Sequence, residues 1–277
     1  MIQIENLSYS YKKKLVFEDL SVNFEPGNIY GLLGKNGTGK STLFRNICGL
    51  LKPKQGKITV FGYSTMERSP EMLSKLFLLP EEFFVPAVLV KEFTRTLSPF
   101  YPRFSHEDFT KLLTEMEVPH DQRMDRMSMG QKKKLLIAFS LSTNTELLLM
   151  DEPTNGLDIV SKTQFKKVMS CIAGSDKCIV ISTHQVKDIE DLVNRICVID
   201  KGKILFNESI NTIGQKISFL QNALASPSAE IIFSEETLHG VSEMILNRSG
   251  SVSKVDMEML YKAVMVKPEE MNKLFKA

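Results

Sequence analysis

The chain has 277 residues, of which 43% are hydrophobic, enough to bury a substantial core in one large domain or in one domain with an appendage. Its 35 basic and 33 acidic residues give a net charge of +2, so no global attraction to nucleic acid or anionic lipid is expected, and we predict no nucleic-acid partner. No apolar run approaches the roughly 20 residues that span a bilayer, and the N-terminus lacks the pattern of a secretory signal, which predicts a cytoplasmic protein.

The first 50 residues predict two strands, a glycine-rich loop and a helix. Apolar and polar residues alternate over 20–24, a Pro-Gly-Asn turn follows at 26–28, and residues 29–33 form an apolar run. After the loop, residues 40–50 favour a helix that is closed by Gly49. The order strand, loop, helix is the one that a phosphate-binding loop requires.

Residues 84–143 show helical spacing instead of strand alternation. Ser105 is a candidate helix cap, with Asp108 three residues later. Apolar residues recur behind this cap at Phe109, Leu112, Leu113 and Met116. We therefore predict an inserted helical subdomain over residues 84–143.

Three later apolar runs predict a parallel sheet covered on both faces. They lie at 147–150, 178–182 and 196–199, separated by segments long enough to form helices. The four cysteines form no C-x-x-C pair, and we interpret them as reduced structural thiols; they are Cys48, Cys171, Cys178 and Cys197.

The C-terminal part, residues 206–277, carries no chemical motif. Segments 230–233 and 241–246 favour strands, and segments 256–264 and 268–275 favour helices. Because this part is small for an independent core, we expect it to pack on the preceding domain or on a dimer partner.

The strongest chemical signal is the sequence GKNGTGKS at residues 34–41, which fits the phosphate-binding P-loop pattern. Glycines at 34, 37 and 39 let backbone N–H groups approach an anionic polyphosphate closely. Lys40 is then placed to neutralise the β- and γ-phosphates, and Ser41 to give its hydroxyl to Mg²⁺. A glycine turn that binds nothing is the alternative, but it has no reason to carry Lys-Ser at a helix entrance.

A second signal is the buried-strand run at 147–150, which ends in the carboxylates Asp151 and Glu152. Asp151 would hold Mg²⁺ through water, and Glu152 could accept a proton from the water that attacks the γ-phosphate. Many strands end in an acidic residue that only caps a turn. The presence of a P-loop decides in favour of the catalytic interpretation.

With these motifs, the chain resembles the ATP-binding cassette (ABC) family over about residues 1–205. The segment Met127-Ser128-Met129-Gly130-Gln131, called the signature segment here, is similar to the sequence with which the family contacts ATP on a partner subunit. Four further residues, the 155–158 segment, are similar to a family segment at the dimer interface; they are Asn155, Gly156, Leu157 and Asp158.

The resemblance also implies a fold and a set of site residues. The fold is an α/β P-loop NTPase (RecA-like) core with an N-terminal antiparallel β subdomain, the inserted helical subdomain and a small α+β C-terminal extension. The ATP-binding residues would be Tyr11, Gly34, Asn36, Gly37, Thr38, Gly39, Lys40, Ser41 and Thr42. Glu152, His184 and Lys40 would be catalytic. Ser41, Glu81 and Asp151 would hold Mg²⁺, and Ser128, Gly130 and Gln131 would contact the partner's ATP.

Simpler interpretations stand beside several of these assignments. Ser128 and Gln131 also fit a helix capping box, and the two interpretations of that segment are compatible. The lysines at 132–134 are most simply the solvated face of the following helix, and those at 12–14 a basic turn.

Two positions depart from the family pattern. Glu81 stands where most members have glutamine, so a carboxylate that only accepts hydrogen bonds replaces an amide. Met129 replaces the first glycine of the signature pair, whereas Ser128 and Gly130 remain. We expect ATP hydrolysis to persist, with an altered coupling between hydrolysis and movement of the subunits.

The resemblance therefore predicts the ATP-hydrolysing subunit of an ABC transporter. It would form a homo- or heterodimer, serve a separate membrane permease from the cytoplasmic face, and most simply drive efflux. The alternative is a soluble ABC ATPase, such as one that assists iron–sulfur cluster assembly. A regulatory module without turnover would require loss of Glu152 or His184, and both are present.

Overall fold

The computed structural model of the chain describes residues 1–171, 176–221, 230–237 and 240–276. Its strands are, in chain order, β1 (Ile2–Tyr11), β2 (Lys14–Phe24), β3 (Asn28–Leu33), β4 (Gln55–Val60), β5 (Tyr63–Ser64), β6 (Leu76–Leu79), β7 (Leu147–Asp151), β8 (Cys178–Thr183), β9 (Arg195–Asp200), β10 (Lys203–Ser209), β11 (Ile217–Leu220), β12 (Ile231–Thr237) and β13 (Gly240–Leu246). Its α-helices are α1 (Lys40–Ile47), α2 (Pro70–Leu73), α3 (Val90–Leu97), α4 (His106–Glu115), α5 (Met129–Ser142), α6 (Ile159–Ser170), α7 (Ile210–Lys216), α8 (Met257–Val266) and α9 (Pro268–Lys273).

A six-stranded sheet in the order β10-β9-β3-β8-β7-β6 forms the centre of the molecule. Its strands are parallel except for β10, which pairs antiparallel with β9. Successive side chains of β7 reach opposite cores, with Leu147 and Leu149 in one and Leu148 and Met150 in the other. Both faces of the sheet are therefore covered, as its continuous apolar runs predict.

The N-terminal sheet is antiparallel, in the order β2-β1-β4-β5. The predicted strand–turn–strand opening is present, but β2 and β3 enter different sheets and do not form a hairpin. Between the two sheets lies α1, whose Leu43, Phe44 and Ile47 join the core that both sheets share. This helix ends at Ile47, three residues earlier than the predicted end, because Gly49 adopts a left-handed φ of 66°.

Between β6 and β7 the chain forms the helices α3, α4 and α5. Ser105 caps α4, since its Oγ accepts a hydrogen bond from Asp108 N at 3.1 Å, as predicted. The prediction of a solvated lysine face after the signature segment is wrong, because Lys133 and Lys134 are only 5% and 8% exposed. The physical reason is that α5 is buried on nearly all sides from Lys133 onward, so no solvent face remains for them.

The C-terminal part forms a three-stranded antiparallel sheet, in the order β11-β13-β12, and the helices α8 and α9. Its predicted strands and helices are present. Leu260 and Val264 of α8 are buried in the same core as Ile196 and Val198 of β9. The tail thus packs on the cassette core, and β10 runs across the predicted boundary at 205. That boundary and the 84–143 limits of the helical subdomain stay predictions.

The four cysteines differ in their burial. Cys48, Cys178 and Cys197 are buried, which raises the pKa of each thiol to about 12. Cys171 is exposed at the end of α6, so it does not pack as the sequence suggested. None of the helices in the described ranges combines the length and apolar character that crossing a membrane requires.

Candidate active site

The carboxyl ends of the parallel strands bring the candidate residues to one edge of the central sheet. The P-loop follows β3, and Glu81 follows β6. Asp151 ends β7, and His184 follows β8. Open α/β sheets bind their ligands at this edge, because the loops that leave neighbouring parallel strands meet there.

The P-loop closes tightly around the start of α1. Gly39 is the N-cap residue with φ 108°, and a Cβ there would lie 2.6 Å from Phe17 Cε1. A Cβ at Gly34 would lie 2.5 Å from the carbonyl oxygen of Ile199. Neither position accepts a larger residue without rearrangement, so packing requires glycine at both, and at Gly39 the left-handed φ requires it as well.

Lys40 lies buried at the N-terminus of α1. Its Nζ donates to the carbonyl oxygens of Gly34 at 2.7 Å and Lys35 at 3.3 Å. The same atom lies 3.4 Å from Glu152 Oε1. The lysine therefore bridges the P-loop and the carboxylate that follows β7, at a helix terminus whose dipole favours anions.

A cavity of about 690 Å³ lies over this loop. The predicted site residues that line it are Tyr11, Asn36, Gly37, Thr38, Gly39, Lys40, Ser41, Thr42, Glu81 and Glu152. Gly34 lies behind the loop and contributes its carbonyl oxygen to Lys40. Tyr11 covers one side, with its hydroxyl 3.5 Å from Thr42 Oγ1 and its ring edge-on to Tyr9.

Asp151 is a buried carboxylate held by hydroxyl groups. Ser182 Oγ donates to Asp151 Oδ1 at 2.5 Å and accepts from Glu152 N at 3.1 Å. Burial raises the pKa of Asp151, and hydrogen bonds with Ser182 and Ser41 act in the opposite direction. Asp151 and the hydroxyl of Ser41 are therefore hard oxygen donors beside the P-loop, which fits a Mg²⁺ ion that takes its remaining ligands from phosphate and water.

Glu152 adopts a left-handed backbone conformation, with φ 46°, directly after β7. This turn directs its Oε1 to a point 3.0 Å from His184 Nδ1 and 3.4 Å from Lys40 Nζ. A non-glycine residue in this conformation is uncommon, and such strain is concentrated at functional sites. Glu152 thus contacts both of the other residues predicted to be catalytic, Lys40 and His184.

Glu81 and the 155–158 segment meet beside this centre. Asn155 Nδ2 donates to Glu81 Oε1 at 2.8 Å. Asp158 caps α6 by accepting from Ser161 N at 2.7 Å, and Leu157 is buried. Gly156 adopts the left-handed φ of 76° that a turn requires.

The signature segment does not line the cavity. Ser128 and Gln131 form the predicted capping box at the start of α5, because Gln131 N donates to Ser128 Oγ at 3.2 Å and Ser128 N donates to Gln131 Oε1 at 3.0 Å. A Cβ at Gly130 would meet nothing within 4 Å, and Met129 is exposed beside it. The segment therefore presents an open, capped helix start away from the chain's own P-loop.

Sequence reasoning missed two residues of this centre. Ser182 ends the apolar run at 178–182 and had no assigned role, although it orders both Asp151 and Glu152. Lys133 was assigned to solvent, yet its Nζ donates to the carbonyl oxygens of Glu152 at 2.6 Å and Asn155 at 2.8 Å. The apolar run at 135–139 was the available signal, since a helix that is apolar all round is buried.

A parallel sheet with a P-loop after one strand and paired carboxylates after another defines a P-loop nucleoside triphosphatase core. The family model described as ABC transporter matches residues 17–155. The ABC transporter ATP-binding protein YtrB of Bacillus subtilis (strain 168) is 31% identical over 198 residues, which cover 71% of this chain and 68% of YtrB. The chain belongs to the ABC transporter family of ATP-binding subunits.

Two further similarities bear on fold and relatives. The Nod factor export ATP-binding protein I of Cupriavidus metallidurans is 30% identical over 209 residues, which cover 73% of this chain and 69% of that protein. A solved dimeric bacterial ABC transporter cassette superposes with a TM-score of 0.66 at 22% identity, over 76% of this chain and 98% of that one. The α/β cassette fold predicted from the sequence is confirmed.

Proposed function

We propose that this chain hydrolyses ATP to drive efflux through a separate membrane permease. The observation that carries the proposal is the contact of Lys40, Glu152 and His184 at the mouth of a P-loop. In this proposal the backbone N–H groups of the loop and Lys40 bind the β- and γ-phosphates, and Tyr11 stacks on the adenine ring. Asn36, Thr38 and Thr42 complete the wall of the cavity.

Glu152 then acts on the attacking water. It orients the water and accepts a proton from it, while the water oxygen bonds to the γ-phosphorus and the bond to the β-phosphate oxygen breaks. ADP, phosphate and one proton result. His184, 3.0 Å from Glu152, holds that carboxylate in place and contacts the γ-phosphate. Ser182 supports the same geometry from behind, through the backbone N–H of Glu152.

Mg²⁺ is the expected cofactor. Ser41 and Glu81 would hold it, and Asp151 would hold it through water. When bound, Mg²⁺ neutralises charge that develops on the phosphates during transfer. Glu81 is an acceptable hard ligand, but it adds negative charge where most relatives have an amide, so its effect on turnover belongs to this proposal.

A dimer completes the site in this proposal. The signature segment lies outside the chain's own cavity, so its Ser128, Gly130 and Gln131 are free to contact ATP on a second subunit. Ile159 and Val160, next to the 155–158 segment, are large exposed apolar residues on the described surface. Their exposure supports a surface that becomes buried when two cassettes close around ATP.

Efflux is supported by the name of a relative. The similar protein from C. metallidurans is named for export of Nod factor. In this proposal the chain acts at the cytoplasmic face, and a permease on another chain, contacted by residues of the helical subdomain, converts cassette closure into transport. A homodimer and a heterodimer would both serve this mechanism.

The change Glu152→Gln tests this function. It removes the proton acceptor but keeps the size of the side chain, so we expect turnover to fall by about 100-fold or more while ATP is still bound. The variant should form a dimer with ATP and Mg²⁺ and revert to monomer without them. Light scattering and phosphate release measure both effects, with Glu82→Gln as the control for a change of charge nearby.

The result that contradicts hydrolysis is an unchanged rate of phosphate release in Glu152→Gln. The result that contradicts transport is the isolation of the trapped Glu152→Gln dimer with soluble scaffold proteins. We expect it instead to copurify from membranes, extracted in mild detergent with ATP present, with a polytopic partner.

A further inference from the structure

Lys133 is a buried lysine on α5 whose ammonium group contacts backbone carbonyls. Its Nζ donates to Glu152 O at 2.6 Å and to Asn155 O at 2.8 Å. These two carbonyls belong to one turn, because Asn155 N donates to Glu152 O at 3.2 Å. The side chain therefore fastens the turn that follows β7 to the helix that begins at the signature segment.

The charge of Lys133 is partly offset within the same corner of the protein. Burial lowers the pKa of Lys133, and the negative charges of Glu81, Glu152 and Asp151 act in the opposite direction. Glu81 is also joined to the turn, since it accepts a hydrogen bond from Asn155 Nδ2 at 2.8 Å. A buried charge is costly, and here the carbonyls supply hydrogen bonds and the carboxylates supply opposite charges that reduce this cost.

We propose that Lys133 is a positioning residue that ties the signature helix to the turn carrying Glu152, and that Glu81 is its electrostatic counterpart. The helix start at Ser128 and the Lys133 anchor lie on the same first turns of α5. Contact of Ser128 with the partner's ATP is thereby transmitted to Glu152 in the chain's own site. This inference rests on the proposed function, because it assigns Lys133 a part in ATP hydrolysis.

The position of Lys133 indicates which step its removal affects. Without Lys133, the two carbonyl oxygens have no cationic donor, and no nearby positive charge from this side chain offsets the repulsion among the three carboxylates. Lys133 does not line the cavity, so nucleotide binding itself is retained. The loss of Lys133 therefore lowers kcat, because the orientation of Glu152 matters only when the water attacks the γ-phosphate.

The test compares Lys133→Met with Lys134→Met. Both lysines are buried on α5, but Lys134 donates to Gln164 Oε1 at 3.4 Å, on α6 and outside this turn. We expect Lys133→Met to lower kcat by about 10- to 100-fold with KM for ATP changed less than about threefold. Lys134→Met should keep both within about threefold. Lys133→Gln, which retains a donor, should lie between the wild type and Lys133→Met.

The partnership with Glu81 has its own readout, the double variant Lys133→Met with Glu81→Gln. Since Glu81→Gln removes one of the uncompensated charges, the loss of kcat caused by Lys133→Met should shrink by at least about threefold in that background. If Lys133 only packed the helix, the fold-losses of kcat from the two single variants would multiply in the double variant. That outcome, or an unchanged kcat in Lys133→Met, would overturn the proposal.

A measurement without turnover separates this inference from the proposed function. In the absence of nucleotide, amide hydrogen exchange over residues 154–157 should be faster in Lys133→Met than in Lys134→Met, because only the first loses the link to the turn. If the wild type hydrolysed no ATP, the proposed function would fail while this comparison still tested the anchor. Equal exchange in the two variants would refute the anchor itself.

Discussion

The carboxyl group of Asp151 is proposed to bind Mg²⁺ when ionised, but its ionised form destabilises the fold. It is buried beneath the P-loop, and burial raises its pKa. A carboxyl group whose pKa is higher in the folded than in the unfolded state contributes stability at low pH. That contribution is lost as the pH rises through the folded pKa. At neutral pH the ionised Asp151 therefore costs folding free energy, a cost that the proposed role as a Mg²⁺ ligand would explain.

Asp151→Asn should accordingly raise the Tm of the protein without nucleotide at pH 8. The amide keeps an oxygen that accepts from Ser182 and removes the buried charge. The difference in Tm between Asp151→Asn and the wild type should decrease as the pH is lowered, because protonation then neutralises the wild-type carboxyl group as well. Thermal unfolding at pH 8 and pH 5 measures this. The added stabilisation by ATP with Mg²⁺ should disappear in the variant, and a lower Tm at pH 8 would contradict the argument.

The residues that could be predicted are those whose identity is dictated locally. A P-loop needs glycine, lysine and a hydroxyl at set spacing, so the sequence alone predicts Lys40 and Ser41 as site residues. Lys133 was not, because its environment is formed by a turn about twenty residues away in the chain and by Glu81 on another strand's end. Charge alone gives no sign of whether a lysine meets solvent or buried carbonyls.

At the scale of one element, α5 unites a structural cap with a proposed binding surface at Ser128. Ser105 provides a matched comparison, since it caps α4 through the same kind of hydrogen bond, at 3.1 Å, and lies outside the signature segment. Each cap is worth about 1 kcal/mol of stability. Both serines therefore cap a helix, but only Ser128 is proposed to contact ATP on a partner subunit.

We expect Ser128→Ala and Ser105→Ala to lower the free energy of unfolding by similar amounts, about 1 kcal/mol each. Only Ser128→Ala should weaken the ATP-dependent dimer of the Glu152→Gln background, because only that hydroxyl can reach a partner's γ-phosphate in the proposed mechanism. Chemical denaturation and light scattering provide the two measurements. Equal dimer formation in the two variants would reduce the signature serine to a helix cap.

Elements with strong local signals were predicted from the sequence, whereas the sheet to which β2 belongs was not. The apolar runs of β7 and β8 identified buried parallel strands, and the glycine at 49 marked the end of α1. By contrast, β2 and β3 are separated by a short turn that is typical of a hairpin, yet they belong to different sheets. Pairing depends on which apolar faces meet in three dimensions, and sequence spacing carries little of that information.

For the whole molecule, the C-terminal part is continuous with the cassette core. The edge strand β10 belongs to the central sheet, and α8 packs on β9 and β10. Lys187, three residues after His184, forms a salt bridge with Glu258 of α8 at 3.1 Å. The tail thus buries the outer side of the sheet close to the loop that carries His184. The predicted boundary at 205 falls within β10, and residues on both sides of it belong to one hydrophobic core.

This continuity predicts the response to a change in α8. Leu260 is fully buried in the core that also contains Ile196 and Val198, so Leu260→Ala should cost about 2–5 kcal/mol. Because that core is shared, far-UV circular dichroism and the loss of a bound fluorescent ATP analogue should report the same unfolding midpoint. Val266→Ala, at an exposed position on the same helix, should change stability by less than about 0.5 kcal/mol. An early transition that leaves nucleotide binding intact would instead mean that the tail unfolds as a unit of its own, and that the cassette does not depend on it.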